Sequence, residues 1–328
     1  MKSLFDAVPR VDLGVRETPV ERHDLGAVRL LVKRDDLSSP LLGGNKVRAL
    51  QFLLAGVKPG QRVLTVGSTG STHALAVAQY STALGAHADV ITWPQEDHAV
   101  SMTTGARLAS LARVTHAMSP VDAYLRAGVR RLTSSVCWIP AGGSSALGAL
   151  GHVHAALELV SQLEHAGITM PHTLVVPLGS GGTAAGLLVG LSIAGVSTKV
   201  IGVRVVPKLV GNRWHVLRLA HRARSLLCSL SSAALPALRP ELLEIDHAGY
   251  GGAYARETDD GVGAAALLRA AGGPRLDGTY SAKALGRALA RARHLPDEQV
   301  LFWLTFDGRW LDDEPRALRE ERSDGWIA

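Results

Sequence analysis

From residue 30 onward, short β-branched runs alternate with longer Ala/Leu-rich amphipathic stretches. RVLTVGS (62–68), ADVITW (88–93), RVTHAM (113–118), VCWIP (136–140), HTLVVPLG (172–179), KVIGVRVV (199–206), ELLEID (241–246) and QVLFWLTF (299–306) predict strands. Residues 45–57, 71–84, 147–166, 183–194 and 281–294 predict helices between them. Near-continuous apolar strands that alternate with helices indicate parallel sheets covered on both faces. Eight or more strands exceed one small sheet, so two α/β lobes are expected. No Pro/Ser-rich linker marks a boundary, and no repeat of solenoid period or low-complexity tract is present.

The length of 328 residues is ample for a sizeable core, and 47% hydrophobic with 20% charged residues describes a soluble globular chain. Two cysteines, Cys137 and Cys228, make no disulfide framework, which points to a reducing, cytoplasmic setting. The N-terminal MKSLFDAVPRVDLG reads as neither signal peptide nor anchor, and no stretch has the apolar length of a membrane span. The net charge of +6 is spread along the chain with 5% aromatics, so nucleic acid is not an expected partner. The densest basic cluster, NRWHVLRLAHRAR (212–224), has helical spacing and reads as a solvated helix face.

Three small-residue turns join a strand to a helix. In HTLVVPLGSGGTAAGLLVGL (172–191), the loop Gly179-Ser180-Gly181-Gly182-Thr183 lets backbone approach a ligand closely. It also aims the free N–H groups and positive dipole of a helix start at an anion. A tight βα turn would need one such glycine; this cluster indicates a phosphate cradle. No Gly-Lys-Ser/Thr follows, and no acidic residue ends KVIGVRVV to take a ribose hydroxyl, so P-loop and dinucleotide readings are weak. TVGSTGSTHALAVA (65–78) offers Ser71, Thr72 and helix amides to a carboxylate, or an ordinary N-cap. PAGGSSALGALG (140–151) repeats the theme. Such loops after strand C-termini suggest one cleft holding an anionic ligand.

The chain has seven lysines against twenty-eight arginines, and one, Lys46, follows Gly43-Gly44-Asn45 at a predicted helix start. There the helix dipole disfavours the ammonium and favours a free amine. LLVKRDDLSSPLLGGNKVRALQFLL (30–54) resembles the pyridoxal-phosphate lysine segment of the D-cysteine desulfhydrase and 1-aminocyclopropane-1-carboxylate (ACC) deaminase family. IPAGGSSALGALGHVHAALEL (139–159), GSGGTAAGL (179–187) and LDGTYSAKALGRAL (276–289) resemble its later motifs, in the right order over about 300 residues.

The resemblance implies an α/β, tryptophan synthase β-like fold of two domains. Residues 1–54 and 160–328 would form a large domain that binds pyridoxal 5'-phosphate, and 55–159 a small α/β domain. It implies that Lys46 forms a Schiff base with the cofactor and exchanges the substrate's α-proton. Ser180, Gly181, Gly182 and Thr183 would hold the phosphate. Ser71, Thr72 and His73 would receive the carboxylate of a small amino-acid substrate. Tyr280 would lie beside cofactor and substrate, and GGAYARET (251–258) makes Tyr254 the second active-site tyrosine, with Tyr250 the competing register. A homodimer is implied; a metal is not.

Three departures concern the substrate. The family's Gln-Ser-Asn-His reads Gly70-Ser71-Thr72-His73, so Thr72 offers the cofactor one hydroxyl hydrogen where asparagine is usual. The family's His-Thr-Gly-Gly reads Leu304-Thr305-Phe306-Asp307, and Phe306 is expected to shrink the pocket or move the backbone. Gly278-Thr279 replaces Pro-Val. Ser281 and Thr305 match the desulfhydrases, whereas ACC deaminases carry glutamate and leucine there. A neutral hydroxyl at the pyridine nitrogen suits β-elimination better than cyclopropane opening. The leading expectation is therefore a carbon–sulfur lyase acting by α-proton abstraction and β-elimination. ACC deaminase-like and β-replacement activities, and a non-catalytic pyridoxal-phosphate-binding homologue, are its rivals. A nicotinamide dehydrogenase, suggested by Gly-rich turns, is more distant.

Overall fold

The computed structural model describes residues 2–311. In chain order the elements are α1 (Lys2–Phe5), β1 (Val20–Leu25), β2 (Val28–Arg34), α2 (Asn45–Leu53), β3 (Arg62–Ser68), α3 (Thr72–Ala83), β4 (His87–Trp93), α4 (Ala99–Leu111), β5 (Ala112–His116) and α5 (Pro120–Thr133). They continue with β6 (Val136–Ile139), α6 (Ala146–His165), β7 (Thr173–Leu178), α7 (Gly182–Ile193), β8 (Lys199–Arg204), α8 (Arg213–Ser231), β9 (Leu243–Asp246), α9 (Asp259–Ala270), α10 (Ser281–His294) and β10 (Val300–Leu304). The helix expected over 45–57 stops at Leu53, ahead of Gly56 and Pro59.

The strands form two sheets. One has the order β1-β2-β10-β7-β8-β9, the other β5-β4-β3-β6. All pairings are parallel except the β1–β2 hairpin, which adds an antiparallel edge that the expectation of purely parallel sheets did not include. Every residue of β7 and β10 is buried, as strands covered on both faces require. One face of the six-stranded sheet packs on α6, α7 and α8, the other on α9 and α10. In the four-stranded sheet, α3 and α4 cover one face and α5 the other.

The four-stranded sheet lies wholly within residues 62–139, flanked in sequence by parts of the larger lobe. Helix α6 packs along α7, α2 and α8 of that larger lobe, so a division at residue 159 would cut through it. Gly151 of α6 lies so close to α2 that a Cβ there would sit 1.9 Å from the Arg48 carbonyl oxygen. This contact seats the helix that carries Lys46.

Candidate active site

The loops after β3, β6, β7 and β10 open into one cavity of about 770 Å³, lined from both lobes. Ligands of open parallel sheets bind at such C-terminal strand ends. Lys46, Ser71, Thr72, His73, Ser180, Gly181, Gly182, Thr183, Tyr254, Tyr280 and Thr305 all line it.

Lys46 is half-buried in the first turn of α2. The turn before it depends on Gly44, at φ +93°, where a Cβ would come within 2.5 Å of the Thr305 carbonyl oxygen. Gly43 N–H donates to Asp307 Oδ2 at 2.8 Å and Asn45 N–H to the Thr305 carbonyl at 3.1 Å, tying the lysine loop to the end of β10. Burial pushes the Lys46 amine down to about 8, with the Asp277 charge pulling the other way. A free amine is what nucleophilic capture of a carbonyl needs. We therefore expect cofactor capture by the cofactor-free protein to accelerate about tenfold per pH unit below pH 8 and to level off above it. A rate still climbing between pH 9 and 10, followed by absorption after rapid mixing, would show an ordinary lysine.

Beneath Lys46 lies a buried ionic network. Arg48 pairs with Asp35 at 2.7 Å and Glu158 at 2.8 Å, and Lys33 Nζ meets Glu158 at 2.6 Å. Trp303 Nε1 donates to Asp35 at 2.9 Å. Burial would raise the Glu158 carboxyl, but Arg48 and Lys33 hold it down to about 2. These contacts join α2, β2, α6 and β10 and fix the helix that presents Lys46.

The glycine loop begins α7 with Gly181 at φ +88°, a left-handed backbone, and no side chain caps the helix. Ser144 Oγ fills part of that role: it accepts from Gly182 N–H at 3.1 Å and donates to Ser180 Oγ at 2.7 Å. Thr183 Oγ1 accepts from Asn45 Nδ2 at 2.7 Å, with His152 Nε2 at 3.4 Å. Among the described residues no arginine lines the cavity, so an anion here is met by amides and hydroxyls. Ser144, Asn45 and His152 were absent from the expected site. Asn45 adjoins Lys46 and Ser144 sits in the third glycine turn, which were their sequence signals; His152 had none.

Ser71 caps α3, its Oγ accepting from Ala74 N–H at 3.2 Å, and its hydroxyl hydrogen remains to donate to an anion. His73 is buried, and Thr65 Oγ1 sits 3.0 Å from its Nε2 while donating to the Ile139 carbonyl at 2.9 Å. The ring thus lies between Thr65 and the Pro140 backbone, which also hydrogen-bonds it. Burial, with the Lys46 charge adding, pushes His73 down to about 3, so it is a neutral ring. A neutral ring brings no positive charge to a carboxylate, and Ser71, Thr72 and the α3 amides lie beside it as further donors.

Tyr254 and Tyr280 bring their hydroxyls within 2.9 Å. Burial raises both, Tyr280 well above its ordinary value, so each keeps its proton. Tyr250 instead stacks under Arg204, 4.2 Å from guanidinium to ring centre. Asp277 caps α10 by accepting from Tyr280 N–H at 2.6 Å and Ser281 N–H at 3.1 Å, which fixes both residues. Ser281 is fully buried behind Thr305, their hydroxyls 3.3 Å apart, and Thr305 is the one that lines the cavity. Phe306 turns edge-on to Trp310, with ring centres 6.4 Å apart, and also forms part of the cavity wall.

A lysine whose amine is pushed down by burial, a glycine-rich helix start and converging hydroxyls suit pyridoxal phosphate, which needs an amine, a phosphate cradle and donors around its ring. Comparisons with known proteins agree. The family described as "Pyridoxal-phosphate dependent enzyme" matches residues 11–305. A nocardicin C-9' epimerase from Nocardia uniformis subsp. tsuyamanensis is 35% identical, over 91% of this chain and 93% of that protein. A D-cysteine desulfhydrase from Serratia proteamaculans is 30% identical, over 90% and 92%. The crystal structure of an ACC deaminase homologue superposes with a TM-score of 0.77 at 26% identity, covering 94% of each chain. The chain belongs to the pyridoxal-phosphate dependent enzyme family, and the lysine and glycine loops it brings into one cavity fit that cofactor.

Proposed function

We propose that this protein removes the α-proton of an amino acid with the amine of Lys46 and then expels a β-substituent, as a carbon–sulfur lyase of the D-cysteine desulfhydrase kind. The observation that carries the reading is a half-buried Lys46, its amine pushed down to about 8, lining a cavity that also holds the glycine-loop start of α7. Pyridoxal phosphate, when bound, supplies covalent capture of the amino group and an electron sink for the α-carbon. Gly181, Gly182, Ser180 and Thr183 hold the phosphate, with Ser144 and Asn45 fixing the two hydroxyls. Ser71 and Thr72 hold the carboxylate. Thr305, backed by Ser281, offers a neutral hydroxyl to the pyridine ring. Tyr280 keeps its proton, positioned by Tyr254, and serves as a donor rather than a base. The Cα–H pair becomes the new double bond, the Cβ–S pair leaves with sulfide, and water then releases ammonia and pyruvate.

A second reading, epimerisation, is favoured by the Nocardia relative and by the presence of two proton-carrying groups, Lys46 and Tyr280, in one cavity. It shares the first step and differs in returning a proton to the opposite face. We also propose a homodimer in the cytoplasm. Unpaired Cys137 and Cys228 support the compartment, and an exposed apolar stripe on α5, Val121, Leu125, Val129 and Leu132, supports self-association.

D-Cysteine, β-chloroalanine and ACC supplied side by side in D2O separate these readings. Elimination yields keto acid from the first two, with sulfide from D-cysteine. Deuterated, inverted amino acid without keto acid would establish the epimerase. Efficient 2-oxobutanoate release from ACC alone would overturn the argument from Ser281 and Thr305.

A further inference from the structure

The cavity is far larger than the reaction centre requires. Pockets of about 300–1,000 Å³ take whole drug-sized ligands, and a phosphorylated pyridine with a three-carbon amino acid falls in the lower part of that range. The 770 Å³ found here leave a second compartment outward of Lys46. Where Phe306 meets Trp310, beside Lys46, there is only a separate hollow of about 20 Å³, and the residues that line the large cavity beyond the reaction centre include the exposed loops of both lobes.

The two lips of the mouth are apolar. Trp93, Pro120 and Tyr124 form the lip of the four-stranded lobe, and Pro207, Leu209 and Val210 that of the six-stranded lobe. Leu209 is 94% exposed, and Tyr124 and Val210 are exposed as well. Single exposed apolar residues are ordinary, but these converge from two lobes on one opening. Polarity thus runs along the cavity: hydroxyls and amides surround Lys46, while rings and aliphatic groups line the way out.

We propose that the substrate is an α-amino acid whose side chain carries a bulky apolar or aromatic group beyond the β-heteroatom, and that this group lies between the lips. A free thiol or a methyl group would leave that compartment to water. This inference rests on the reading of Lys46 given above and names the substrate class it acts on. In an elimination, the bond broken is Cβ–S, and the bulky group departs as its thiolate with that electron pair.

The test compares S-methylcysteine with S-benzylcysteine, as both enantiomers, on the holoenzyme. Calorimetry gives the dissociation constants, and the same samples in D2O report α-proton exchange by NMR. At least one enantiomer of the benzyl thioether is expected to bind ten times more tightly than its methyl counterpart. Leu209→Asp and, independently, Tyr124→Ser should each cut that preference at least fivefold. Equal or weaker binding of the benzyl compound, no binding of either, or a preference untouched by both variants overturns the inference. Exchange without the preference leaves the Lys46 reading standing and removes the apolar mouth. The preference without any exchange does the reverse.

Discussion

Lys46→Ala is expected to lose turnover by a factor on the order of 10^4 while leaving the fold intact, because the side chain serves as both covalent anchor and general base. The fold survives because Lys46 is only half-buried, on the cavity wall, while α2 is held by the buried Val47, Arg48, Leu50 and Phe52. Arginine at this position should do no better. Its guanidinium stays protonated and cannot form the covalent link. Circular dichroism matching the parent, with loss of α-proton exchange, is the expected pair of results. Exchange at more than a tenth of the parent rate would remove Lys46 from the reaction.

Arg48→Ala, two residues further on, should act through stability instead. The guanidinium is buried between Asp35 and Glu158, and removing it leaves two carboxylates in the interior with Lys33 as the one remaining cation of the network and only Trp303 and Thr18 as neutral donors. Breaking a buried ion pair by deleting one partner costs about 3–5 kcal/mol. Urea denaturation would read this directly, and a change below about 1 kcal/mol would mean that the network does not brace α2. A hydrophobic replacement of all four charged partners together is a different experiment, since well-packed apolar groups can match such a network.

The contrast between these neighbours shows what the sequence could and could not carry. Lys46 was legible because its surroundings are local: two glycines, an asparagine and a helix start. The glycine-rich start of α7 was legible for the same reason, since a strand, a glycine run and a helix are adjacent in sequence. Arg48 was not. Its partners come from positions 35 and 158, and nothing in VRAL announces a buried cation.

The strands from residue 62 onward were legible because burial on both faces writes continuous apolar runs, as in β7 and β10. The β1–β2 hairpin escaped that pattern. β1, at the sheet edge, is polar and has one fully buried residue, Leu25, while β2 contains Lys33, whose buried amine is met by the Thr18 carbonyl and by Glu158 and Gln162 of α6. His152 was hidden in the same manner, since it meets Thr183 across the fold, whereas Asn45 and Ser144 sit beside the lysine and in the third glycine turn and only their partners were out of reach. The partners of the His73 ring, Thr65 and the backbone after β6, are likewise recorded by no local motif. The lips of the cavity meet only when the two lobes are assembled.

The central claim is that Lys46 carries the cofactor, and borohydride reduction of the holoprotein followed by peptide mapping tests it most directly. The account predicts a stable pyridoxyl label on the peptide containing GGNKVR, at Lys46. Lys33 is locked against Glu158, Lys208 is exposed outside the cavity floor, and Lys283 donates to the Tyr250 carbonyl at 3.2 Å. A label on any of these three, or cofactor bound with no label on Lys46, would contradict the account.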